Sequence, residues 1–64
     1  MVMGLNDVVD LTFKAIFILE DLREVWRKTA PTHKLSEEEK NHVLKLIESL
    51  MKTISIIKEK VENE

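Results

Sequence analysis

Arg23, Arg27, Lys28, His33 and Lys34 gather five side chains able to carry positive charge on the two sides of the only proline, Pro31. Arginines four residues apart share one helix face, so the cluster could receive a phosphate or an acidic partner through charge-assisted hydrogen bonds. A plainer reading competes with it. Bases in the last turn of a helix complement the helix dipole, and Asp21 and Glu24 stand among them, with Glu24 spaced to pair with Lys28. That structural reading is the simpler of the two.

His42 could approach Glu38 or Glu39 at i, i+4 or i, i+3 spacing, which resembles part of a metal site. Transition metals need three or four protein ligands, so a hydrogen bond on an exposed helix face explains the pair better. Ser49 and Ser55 have no base in reach, and no nucleophile is activated. The step from Arg27 to His33 resembles the arginine-to-histidine spacing of HEPN-type ribonucleases, where a dimer joins two copies for RNA cleavage. Here Lys28 replaces the polar residue usual after that arginine, the histidine falls in a turn, and the chain is far shorter than that family. No enzyme, cofactor, metal site or catalytic residue is expected.

Sixty-four residues allow a single domain, 1–64, whose core rarely supplies more than ~3–5 kcal/mol. Disulfides, a metal or oligomerisation are the usual supplements. With no cysteine and two scattered histidines, oligomerisation remains. Hydrophobic residues make up 44% and charged residues 34%, with one glycine and one proline, a composition that excludes a disordered chain and points to an all-α fold. Abundant Lys, Glu, Leu and Ile without glutamine lean towards a thermophilic source.

The net charge of −2 is split evenly, since residues 1–32 hold four bases and five acids, and residues 33–64 hold six and seven. Neither half is a basic arm, which argues against strong sequence-independent attraction to nucleic acid or anionic membrane. The opening MVMGLNDVVD lacks the basic region of a secretory signal. The longest apolar run, AIFIL, has five residues, against the ~20 that span a bilayer. A cytoplasmic protein with no membrane partner is expected.

Two elements must position these groups. The first helix is expected over about residues 6–29, with Asn6 as its cap and Asp7 and Asp10 near its positive end. Pro31 stops it, because the residue before a proline avoids helical geometry. After a turn at 30–35, Ser36 and Glu39 stand at capping-box spacing and open a second helix over about 37–62. Long helices of equal length joined by a short link form an antiparallel hairpin.

In the second helix Val43, Ile47, Leu50, Ile54, Ile57 and Val61 alternate steps of four and three, the spacing of a bundle seam, flanked by Leu44, Leu46 and Met51. Glu48 with Lys52, and Lys58 with Glu62, are spaced to pair on the opposite face. The first helix offers Val8, Thr12, Ala15, Leu19, Leu22 and Trp26 in the same steps, with Leu11, Ile18 and Val25 beside them and Trp26 expected in the core. Phe13 and Phe17 lie about half a turn from that line, and with Val9 and Ile16 they make a second apolar strip. Leaving two phenylalanines in water forfeits several kcal/mol, and one hairpin cannot cover both strips. Val9, Phe13, Ile16 and Phe17 are therefore the expected partner interface.

The simplest cover is a second copy, giving a homodimer in the form of a four-helix bundle. A larger protein with a groove for the phenylalanines is the next. In length and two-helix organisation the whole chain resembles the plasmid copy-control RNA-binding protein Rop, and in size and helical character the small accessory subunits of archaeal family-B DNA polymerases. Neither resemblance rests on a residue-for-residue motif. The expected function is a non-enzymatic protein–protein interaction module, an accessory or adaptor subunit of a larger complex that could serve DNA replication or nucleic-acid processing. The alternative is a Rop-like nucleic-acid-binding regulator that uses the basic hairpin tip.

Overall fold

A computed structural model describes residues 5–64, so the opening stretch read for a secretory signal falls partly outside the described residues. The chain forms two helices, α1 (Asn6–Thr29) and α2 (Glu37–Glu62), packed against each other as a rod of 51 × 16 × 13 Å. Lys60 Nζ lies 3.4 Å from Asp7 Oδ2, which brings the end of α2 to the start of α1 and makes the pair antiparallel. Among the described residues there is no strand, and neither helix is long and apolar enough to cross a membrane.

The two helices start differently. In α2 the capping box forms: the Glu39 amide donates to Ser36 Oγ at 3.2 Å and the Ser36 amide donates to Glu39 Oε1 at 2.8 Å. In α1 the expected cap is displaced, because Leu5 holds the cap position, no side chain bonds the free amides, and Asn6 is already the first helical residue. Val9 N–H reaching Leu5 O at 3.1 Å shows why: the first helical hydrogen bond closes one residue earlier than an Asn6 cap allows.

Pro31 ends α1 as its chemistry requires, with Ala30 extended at φ −62 and ψ 150. The turn then closes through His33, whose amide donates to Thr29 O at 2.8 Å. His33 sits at φ 54, a left-handed conformation uncommon for a residue with a Cβ. Its ring meets Trp26 edge to face at a centroid distance of 6.4 Å, and Thr29 Oγ1 lies 3.5 Å from its Nδ1.

Burial identifies the stripe by which each helix meets the other. On α1 Ala15, Ile18 and Leu22 are buried, and Val8, Leu11, Val25 and Thr29 are half-buried, in steps of three and four. On α2 the same steps run through half-buried Glu39, buried Val43, half-buried Leu46 and Leu50, buried Thr53 and half-buried Ile57. The expected seams are corrected by this. Thr12, Leu19 and Trp26 on α1, and Ile47, Ile54 and Val61 on α2, are exposed, because each lies four residues beyond a position already at the edge of the stripe (Val8, Ala15 and Leu22; Val43, Leu50 and Ile57), and the further turn of about 40° carries it off the contact line. Val8, Ala15 and Leu22, with Val43, Leu50 and Ile57, hold their expected places in the contact, and Leu11, Ile18, Val25 and Leu46, first read as flanking, join them.

Ala15 and Thr53 lie within one residue of level in the register set by Asp7 and Lys60, and both are small. Both are buried, and the Thr53 hydroxyl is satisfied within its own helix by donating to Ser49 O at 2.8 Å. No large side chain among the described residues is fully buried.

Candidate functional site

The two flanks of the contact stripe differ in chemistry. An antiparallel pair brings the same flank of both helices to the same side of the hairpin. On one side stand Asp7, Lys14, Asp21 and Lys28 of α1, with His42, Ser49 and the half-buried Ile56 of α2. Near the tip this side forms an open cleft of about 350 Å³ lined by Asp21, Glu24, Val25, Lys28, Glu39 and His42. His42 and Glu39 both line this cleft, but no hydrogen bond joins them and among the described residues no three metal-ligating side chains cluster. The Glu39 carboxyl is held below the usual glutamate range, first by the Ser36 amide, then by the Ser36 hydroxyl, with Lys28 adding to the effect.

The other side is apolar along most of its length. On α1 it carries Leu5, Val9, Ile16, Leu19 and Trp26, all exposed, and on α2 Leu44, Ile47, Met51, Ile54 and Val61, likewise exposed. Met51 presents 65% of its surface to solvent, so the hairpin itself contributes almost nothing to its burial. Trp26, expected in the core, is 40% exposed, because it lies four residues beyond Leu22 and faces this side. An apolar area drawn continuously from two helices exceeds the scattered single exposures normal for a monomer.

Phe13 and Phe17 stand further round α1, on the side that faces away from α2, with 56% and 63% of their surface exposed. Val9 and Ile16 therefore belong to the open face, and the two rings form a ridge along its outer border. Ile47, Ile54, Leu19 and Met51 of the same face were not among the sequence-derived interface residues. For Leu19, Ile47 and Ile54 the signal was present in the four-and-three spacing, read there as a seam inside the hairpin, and Met51 was read as flanking that seam.

The basic tip is divided between surfaces. Arg27 is engaged by Glu24 at 3.5 Å, Lys28 borders the polar cleft, and His33 packs on Trp26. Arg23 and Lys34 are exposed, and Arg23 projects roughly 140° around α1 from Lys28. These bases do not converge on one seat. Among the described residues the ion pairs are Arg27–Glu24 and Lys60–Asp7, so the expected pairs Glu24–Lys28, Glu48–Lys52 and Lys58–Glu62 are absent.

Comparison with protein families, with curated proteins and with solved structures finds no significant match to this chain.

Proposed function

We infer that the protein is a non-enzymatic interaction module: a helical hairpin that pairs with a second copy as a four-helix bundle and serves a larger assembly as an accessory subunit. One observation carries the reading, namely the exposed apolar face that runs along one side of both helices while the opposite side, apart from Ile56, is polar. Adding Ile47, Ile54 and Val61 to the α2 contact stripe gives the three-position apolar face of a bundle helix, wider than a two-helix contact uses. A face that repeats on every copy is available to a two-fold contact without any other component.

The phenylalanine ridge supports the second half of the reading. A bundle gives each helix two neighbours, and Phe13 and Phe17, on the side of α1 away from α2, lie at the border of what the second copy covers. Rings in that position suit the groove of a larger protein. A nucleic-acid-binding regulator acting through the tip is weaker, because its bases diverge and one is engaged by an acid.

Light scattering over a range of concentrations tests the assembly. The natural chain is expected to have twice the monomer mass, and Leu19→Glu with Ile54→Glu, which place charges in the open face, is expected to be monomeric. A natural chain that is folded and monomeric at high concentration defeats the reading.

A further inference from the structure

The outward sides of the two helices differ. On α2 the strip that faces away from α1 runs through Asn41, Glu48, Lys52, Ser55 and Glu59, all polar and exposed, as the outer face of a bundle helix should be. On α1 the corresponding strip holds Phe13 and Phe17, each more than half exposed. The rings face neither α2 nor the middle of the open face.

The charges around the rings decide which kind of neighbour fits. Asp10 lies one turn from Phe13, and Glu20 and Asp21 lie one turn from Phe17, against a single base, Lys14. Among the described residues Asp10, Glu20 and Asp21 make no ion pair, since the pairs are Arg27–Glu24 and Lys60–Asp7. Their charge is uncommitted. Exposed rings alone could stack on nucleic-acid bases or enter a lipid surface, but this acidic border repels phosphates and anionic headgroups. It attracts a segment that carries lysine or arginine beside its apolar residues.

We propose that the outward side of α1 docks a basic amphipathic helix of a partner protein, whose apolar side chains pack on Phe13 and Phe17 while its bases meet Asp10, Glu20 and Asp21. Two rings one turn apart suit a helix, because a helix offers apolar anchors at the same steps of three and four. The proposal rests on the accessory-subunit half of the reading above and is independent of the second copy.

The probe is a fluorescein-labelled peptide of roughly 18 residues with leucine and lysine at amphipathic helical spacing, long enough to form a helix on contact, and binding is read by anisotropy. It is expected to bind the natural chain, less tightly as salt is raised, whereas a leucine–glutamate peptide of the same pattern does not. Phe13→Ala with Phe17→Ala, and separately Asp10→Asn with Glu20→Gln and Asp21→Asn, should each weaken binding at least tenfold while circular dichroism remains helical. Phe17→Ala alone replaces the double variant if that loses helicity. Leu19→Ser with Ile54→Ser, on the open face, should leave binding within twofold. Absence of binding, equal binding of the two peptides, indifference to either the ring or the acid substitutions, or loss only in the open-face variant overturns the proposal. Light scattering on the same samples keeps the two readings apart: a monomer that binds the peptide defeats only the second copy, and a dimer that does not bind it defeats only the docking site.

Discussion

Lys60 Nζ stands 3.4 Å from Asp7 Oδ2, and this one contact joins the last turn of α2 to the first turn of α1 across 53 positions of sequence. It sets the register but contributes little to stability. The Asp7 side chain is 77% exposed and that of Lys60 42%, and exposed pairs are worth ~0–1 kcal/mol, screened by salt. Lys60→Ala is expected to change the urea midpoint only slightly, and added salt is expected to erase the difference. A loss several times larger would mean that the pair is a fastening of the fold rather than a marker of its register.

Ala15 is buried in the contact stripe, within one residue of level with Thr53. Ala15→Leu inserts three carbons where there is no room, and overpacking of this kind costs ~1–3 kcal/mol. Thermal denaturation by circular dichroism should show a clear drop in midpoint. The same substitution at Thr12, which is exposed, is expected to leave the hairpin stability nearly unchanged.

Ser36 secures the start of α2 from both sides of the capping box. Ser36→Ala is expected to cost ~1 kcal/mol in denaturant unfolding. The same box gives the fold a pH dependence, because Ser36 lowers the folded pKa of Glu39 below its ordinary value of 4.5. The contribution of a depressed carboxyl is complete above the unfolded value and is lost as pH falls through the folded one. Stability should therefore decline on acidification below about 4.5, and Glu39→Gln should flatten part of that decline in melts recorded from neutral to acid pH.

Phe13 and Phe17 are each more than half exposed in the hairpin. Phe13→Ala with Phe17→Ala is therefore expected to leave the melting of dilute protein within about 0.5 kcal/mol, as surface changes do. Association should suffer more. If the border of the interface includes the rings, the dissociation constant measured by sedimentation should rise about tenfold or more, equivalent to ~1.4 kcal/mol. Weakened folding with unchanged association would assign the rings to the hairpin instead.

The helical hairpin was legible because its punctuation is chemical: Pro31 forces Ala30 out of the helix, and Ser36 with Glu39 can do little else than cap one. The excess of apolar surface was legible too, since Phe13 and Phe17 lie too far round α1 from Val8 for one neighbour to reach. What sequence did not reveal was which stripe faces inward. Steps of four and three describe both the inner contact and the flank beside it, and the most apolar choice on α2 ran through Ile47 and Ile54. The actual contact runs through Thr53, whose hydroxyl is hidden by a bond to its own helix and whose small size allows close approach. Periodicity carries no information about size: Ala15 stood in the expected seam, whereas small, polar Thr53 was passed over for its neighbour Ile54. Trp26 was misplaced for the same reason, by one step of four instead of three.

No bulky side chain among the described residues is wholly enclosed by the two helices, so the hairpin has little stability in reserve. On the proposal of a second copy, covering the open face adds to that reserve, the melting temperature rises with protein concentration, and dilution acts as a mild denaturant.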